Sequence, residues 1–267
     1  MSEESVRIRV SESGVAIVAM ARADRHNALD FAMFEGLIHA ANRLTHDRRV
    51  RAVVLHGKGV SFCSGIDIES FLTSSSGIDT LLVREQGCLA NFAQRAAYDW
   101  SRVPVPVIAS ISGNCFGGGM QIALGADIRI AAPDARLSIM EVKWGLVPDM
   151  AITQSLPRLM AIDVAKELTF SGRIVSGRDG ETLGLVTRTT EDPLASALAL
   201  AEEIAQKSPD AVRAAKRLYN KTWTGADTAA ALALETDLQR QLFGKPNQVA
   251  AVTAAVSKKL PTFVDPD

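Results

Sequence analysis

The run GNCFGGGMQIAL over residues 113–124 sets three consecutive glycines, Gly117, Gly118 and Gly119, between an apolar strand pattern ending near Ile111 and the apolar face of a helix. Few positions in a fold need that much bare backbone. The first amides of a helix have no acceptor inside it, so such an opening attracts negative charge. Glycine lets a ligand atom approach those amides closely, which suits a phosphate, a carboxylate, or a carbonyl oxygen that becomes negative during reaction. Glycines that let two elements pack tightly are the structural alternative. Neither GxxxxGK[ST] nor GxGxxG occurs, which counts against a phosphate loop.

The surrounding pattern is α/β. Val6, Ile8 and Val10 alternate with polar residues, and residues 15–20 follow across a Ser-Gly turn, predicting a hairpin. Asp30 caps a predicted helix carrying Phe34, Leu37, Ala41 and Leu44, and residues 50–55 read as a buried strand. A long helix is predicted from about Asp79 to Ser101, then a strand at 107–111 and further strands at 127–131 and 136–140. From Pro193 onward the chain reads as helical, with starts at Asp192-Pro193, Ser208-Pro209, Asp227 and Pro246.

With 267 residues, 47% of them hydrophobic, the chain can bury a large core. A net charge of −1 without a basic run argues against nucleic acid as a partner. Cys63, Cys88 and Cys115 are odd in number and widely spaced, which argues against a disulfide framework or a structural zinc site. The acidic start MSEESV is unlike a signal peptide, and no apolar run reaches 18 residues. A cytoplasmic protein that neither enters a membrane nor holds a metal is the expectation. A Ser-His-Asp triad finds no GxSxG elbow.

A second glycine loop, VVLHGKGVSFCSGID over residues 53–67, repeats the design of the first. Together, residues 25–29 (RHNAL), 61–67 (SFCSGID) and 113–121 resemble the three signature blocks of the crotonase, or enoyl-CoA hydratase/isomerase, superfamily. Residues 127–131, Glu141, 156–159, 171–173, 184–186 and 208–211 continue the resemblance in the same order over nearly the whole chain. It implies a crotonase-like spiral of strand-strand-helix repeats over residues 1–192 and a C-terminal helical oligomerisation region over 193–267, assembling trimers or hexamers. It also implies an acyl-CoA thioester as ligand, coenzyme A entering with the substrate and no separate cofactor. The backbone N–H groups of Ser64 and Gly118 would form the oxyanion hole. Arg25, His26, Ile66 and Asp67 would lie near the CoA, with Lys259 against its nucleotide, while Asp67 capping the next helix and Lys259 as a solvated helix end remain open readings.

The acid–base positions set this chain apart. Residue 121 shares a helix face with Gly118 and leans back toward the opening. Hydratases that the blocks resemble carry Glu there, whereas Gln121 can donate and accept hydrogen bonds but cannot act as a general base at neutral pH. Glu141 occupies the family's other carboxylate position, after an apolar strand, where desolvation would raise its pKa. Asp149 stands where many hydratases have glycine after proline, a departure shared with dienoyl-CoA isomerases, which also carry an acid where Gln121 stands, so that two of their three acids are present here. A carboxylate in this region also serves aroyl-CoA dehalogenases as nucleophile. The expected activity is a double-bond shift through a thioester enolate, with Glu141 and Asp149 moving the proton and Gln121 orienting substrate or water. Enoyl-CoA hydration is the alternative reading, and a catalytically silent acyl-CoA-binding homologue the alternative of another class. Phe92 and Trp144 are candidates for an apolar wall, or for ordinary core packing.

Overall fold

The computed structural model describes residues 4–73 and 79–266. Strands Val6–Val10 (β1) and Val15–Met20 (β2) form the expected antiparallel hairpin, Val6 opposite Met20. Helix Phe31–His46 (α1) begins where the Asp30 carboxylate accepts from the Met33 amide at 2.8 Å. Such a cap stabilises a helix by about 1 kcal/mol. Strand Ala52–Gly57 (β3) then pairs in parallel with β2.

After the short helices Ile68–Thr73 (α2) and Asp79–Leu82 (α3), the chain departs from expectation. The single long helix predicted over 79–101 is absent. Gly87 turns the backbone at φ +82°, and Asn91 starts a new helix, Phe92–Arg102 (α4), through a reciprocal capping box with Gln94. The tilted ring contacts of Phe92 with Phe31 and Phe34 place it on the hydrophobic core, which answers the reading of Phe92 as a substrate wall.

Strand Val107–Ile111 (β4), the short strand Asn114–Phe116 (β5), helix Gly118–Leu124 (α5) and strand Ile128–Ala131 (β6) follow. Strand Arg136–Ser138 (β7) stops two residues earlier than predicted. The remaining elements are Ile152–Ser155 (α6), Ile162–Ser171 (α7), Val175–Ser176 (β8), Gly177–Leu183 (α8), Arg188–Thr189 (β9), Pro193–Ala205 (α9), Pro209–Thr222 (α10), Thr228–Leu242 (α11) and Pro246–Ser257 (α12). The strands make a six-stranded sheet in the order β1-β2-β3-β4-β6-β9, parallel apart from the hairpin, and a small sheet β5-β7-β8.

A parallel sheet must be covered on both faces, and its strands alternate between two cores. Val53 and Leu55 join Phe34, Leu37 and Trp100 on one side. Ala52 and Val54 meet Ala197 and Ala201 of α9 on the other, together with Val15, Ile108 and Ile130. Thus α9 packs onto the sheet itself. Helix α10 is pinned to the start of the strands by Lys216, whose Nζ lies 2.6 Å from Asp127 Oδ2 and donates to the Val105 carbonyl. Burial lowers the pKa of that ammonium. Farther along, Trp223, Phe243, Val252, Val256 and Leu260 are exposed.

All the parallel strands end at one edge of the sheet, and the loops after β3 and β4 rise together from it. Gly113, in the second of these loops, has φ +57°, and a Cβ there would collide with the Val60 carbonyl. Gly145 also has positive φ but faces open space. In denaturant unfolding, Gly113→Ala is expected to cost about 3 kcal/mol or more, while Gly145→Ala costs about 1–2 kcal/mol. Equal costs would mean that the loop contact does not matter.

Candidate active site

The two glycine-rich loops form one seam. The Phe62 amide donates to Ser112 O at 2.8 Å, the Cys63 amide to Asn114 O at 3.0 Å, and the Phe116 amide back to Cys63 O at 3.0 Å. Cys63 and Cys115 pair across it, both fully buried, and burial pushes the Cys63 thiol up to about 12 and raises that of Cys115. They are packing residues, as small apolar side chains would be.

Each of the three glycines answers a different demand. Gly117 has φ +51° and lies under the Glu141 carboxyl, whose Oε1 would be 3.4 Å from a Cβ. A Cβ on Gly118 would fall 2.9 Å from Leu29 Cδ1 and Met150 Sδ, and one on Gly119 would fall 2.7 Å from Cys63 Cβ. Tight packing and an open helix start are therefore both present. The Gly118 amide, at the first position of α5, has no acceptor among the described residues.

Asn27 locks the 25–29 segment against the first loop. It is buried at φ +55°, its Oδ1 accepts from the Arg22 amide, and its Nδ2 donates to Lys58 O and Ser61 O at 2.9 and 2.8 Å. Its neighbour His26, also at positive φ, has Nδ1 3.0 Å from Ser61 Oγ. The carbonyl of His26 accepts the Ser64 amide at 3.0 Å. Ser64 N–H is thus already engaged, and a ligand oxygen must share or displace that contact.

Beside the seam, Glu141 opens a 3-10 turn, Glu141–Trp144. Its Oε1 accepts from Gln121 Nε2 at 2.6 Å, while its Oε2 is buried without a partner. Desolvation raises its pKa, opposed by hydrogen bonds from its own amide and Gln121, and the charge of Asp149 raises it further. Asp149 is exposed as a residue, yet partial desolvation of its carboxyl raises its pKa too. Gln121, 2% exposed, uses its other end to accept from the Met150 amide at 2.8 Å. Each end of Gln121 therefore makes one hydrogen bond to protein. Gln121, Glu141 and Asp149 form one cluster beside Gly117 and Gly118. A feature the sequence did not reveal is the Met150 amide, since a backbone donor carries no residue-type signal.

The expected CoA residues have varied surroundings. Arg25 is exposed and 3.6 Å from Glu69. Ile66 is 36% exposed and bridges to Leu29. Asp67 does cap α2, accepting from the Ser70 amide at 3.2 Å, and it pairs with Arg22 at 3.1 Å. Arg22, which sequence reasoning passed over, also meets Asp30 at 3.2 Å and the Ala28 carbonyl at 2.6 Å, tying both segments together. Lys259 is exposed just beyond α12. Trp144 is 62% exposed, at the surface of the turn that starts at Glu141. A cavity of about 1010 Å³ lies between the start of β4 and helices α10–α12, lined by none of Ser64, Gly118, Glu141 or Asp149.

Among the described residues there is no group of three or more His, Cys, Asp or Glu able to hold a metal, and no helix long and apolar enough to cross a membrane. Residues 10–266 match the family model described as Enoyl-CoA hydratase/isomerase. The human mitochondrial methylglutaconyl-CoA hydratase is 30% identical over 98% of this chain and 78% of its own length. The bovine mitochondrial enoyl-CoA hydratase domain-containing protein 2 is 34% identical over 94% of this chain and 84% of its own length. Among solved structures, the enoyl-CoA hydratase of Bacillus anthracis superposes with a TM-score of 0.89 at 26% identity, covering 97% of this chain and 98% of that one. With the glycine seam, the parallel sheet and these likenesses in agreement, the chain belongs to the enoyl-CoA hydratase/isomerase family and has the crotonase fold.

Proposed function

We propose that this acyl-CoA enzyme shifts a carbon–carbon double bond: Glu141 removes a proton beside or conjugated to the thioester, and the same carboxyl or Asp149 returns it at another carbon. Electrons from the broken C–H bond pass into the thioester enolate. The Gly118 amide, with that of Ser64 once it is freed from or shared with His26 O, holds the negative oxygen. The observation that carries the reading is Glu141 itself, a desolvated carboxyl with one oxygen hydrogen-bonded and the other buried and bare, beside the helix opening at Gly117 and Gly118. A base whose pKa is lifted above the ordinary carboxylate range is better matched to a weakly acidic C–H. Gln121 at the second family carboxylate position leaves one fewer acid for adding water.

Coenzyme A is carried in by the substrate and no resident cofactor is invoked. Arg25, His26, Ile66, Asp67 and Lys259 are the candidate CoA contacts, Lys259 reaching a neighbouring subunit's ligand. The exposed Trp223, Phe243, Val252, Val256 and Leu260 suit burial in a trimer or a hexamer. A cytoplasmic location accords with the buried free thiols.

A second reading, enoyl-CoA hydration, draws on the names of the relatives and on Asp149, which acts electrostatically on Glu141 and could supply the missing acid. Purified protein given 3-hexenoyl-CoA and crotonyl-CoA separates the two. Isomerisation of the first as the main reaction is expected; hydration of the second as the main reaction would install the hydratase reading. Binding of CoA with no turnover on a wider thioester panel would leave only a binding protein.

Glu141→Gln is expected to lower kcat by about 10²-fold or more. In the active protein, kcat/KM should fall on the acid side at a pH above the ordinary carboxylate range, because the base works only when deprotonated. The same substitution should stabilise the fold. A carboxyl with a raised native pKa favours folding below its unfolded pKa, and that advantage is lost as pH rises through the native value. Glu141→Gln should therefore unfold at higher denaturant than wild type at pH 8, with the difference vanishing on acidification. A less stable variant at pH 8 would show that the charge is compensated.

A further inference from the structure

We infer that Gln121 acts on the reaction through Glu141 rather than through substrate: its amide nitrogen holds Oε1 so that Oε2 alone handles the proton, while its amide oxygen anchors the turn bearing Asp149. The inference rests on Glu141 being the base. It follows from which atoms can meet which. The Met150 amide is a donor and needs an oxygen opposite it, so Gln121 must present Oε1 to Met150 and Nε2 to Glu141. Its orientation is therefore set by the backbone and does not depend on the protonation state of Glu141. At 2% exposure the side chain makes one hydrogen bond to protein from each end, to the Glu141 carboxyl and to the Met150 amide.

The consequences for Glu141 are chemical. Nε2–H is a donor at every working pH, so Oε1 keeps accepting from it whether the carboxyl is ionised or protonated. The proton then resides on Oε2, the buried oxygen without a partner. During turnover the C–H bond breaks, its proton goes to Oε2, and the electron pair stays in the enolate; return of the proton reverses the bookkeeping. Holding Oε1 favours the ionised form, and so limits how far burial can raise the carboxyl. Among the described residues the other charged group acting on it is Asp149, on the turn that Gln121 tethers next door through Met150. Lys143, on the same 3-10 turn, packs toward Gly172. One side chain therefore sets the base's free oxygen, its basicity and the position of its charged neighbour.

The test is a carbon-13 NMR titration of the Glu141 carboxyl, assigned by its disappearance in Glu141→Gln, alongside pH profiles on 3-hexenoyl-CoA. Gln121→Met keeps the length but removes both hydrogen bonds. The Glu141 midpoint should move to higher pH, kcat at pH 7 should fall by about tenfold or more with KM changed less than about twofold, and the loss should shrink as pH rises. Gln121→Glu keeps an acceptor for Met150 and sets a second carboxyl against Oε1. It should split the titration into two coupled midpoints, the upper one above that of wild type. This second variant keeps the test decisive if Gln121→Met does not fold.

An unmoved Glu141 midpoint in the folded variants, or a loss of kcat that is the same at every pH, would overturn the inference, as would a raised KM with kcat intact. If Glu141→Gln keeps full turnover, the base assignment itself falls, whatever the titrations show. If Glu141→Gln is inactive and the midpoints stay put, only the role of Gln121 falls.

Discussion

The seam between residues 61–65 and 112–116 is the constraint on which the rest of the site depends. Three backbone hydrogen bonds fix two loops that leave neighbouring strands, and each contributes about 1 kcal/mol net because water would otherwise satisfy the same groups. Their larger effect is positional. Gly119 must lie against Cys63 for the seam to close, which sets the start of α5, and with it Gly118 and the side of the helix that carries Gln121. From Gln121 the arrangement propagates to Glu141 and Met150. The open helix start at Gly118 and the Glu141 carboxyl, on separate segments, are thereby held by one packed junction.

The electrostatics run against stability and toward chemistry. A carboxyl with a buried, unpartnered oxygen is costly to ionise, and nothing basic among its described contacts offsets that cost. The amide of Gln121 offsets part of it. An arginine or lysine in that place would hold the carboxylate as a stable ion pair and leave it a weak base. The contrast lies at the opposite end of the sheet, where Lys216 is buried against Asp127 with an added carbonyl contact and serves to dock α10. Both are buried charges. One is satisfied and structural, the other under-satisfied beside an open helix end.

How far the chain was legible varied with the range of the interaction. Asp30, the starts of α9 to α12 and the strands expected at 107–111 and 127–131, the second of which begins at Ile128, are legible because capping and alternation act within a few residues. The helix expected over 79–101 is broken at Gly87, because apolar spacing carries no signal for a turn there, and the Asn91–Gln94 capping box starts a second helix. Glu141, Asp149 and Gly118 were found through resemblance and do lie together. The engagement of Ser64 by His26 was invisible, because a backbone carbonyl in a left-handed turn has no sequence signature apart from the turn itself.

By itself the sequence determined the α/β class and the two bare-backbone loops, since these follow from local periodicity and residue chemistry, while its resemblance to the family marked residue 121 as an amide where hydratases carry a carboxylate. Only the tertiary structure decided what that amide does. Gln121 meets partners 20 and 29 residues away, one of them a backbone N–H, and whether its ends face protein or ligand depends on how α5, the turn at Glu141 and residue 150 converge. That convergence is set by packing among glycines, Leu29 and Met150, where a fraction of an ångström separates contact from collision.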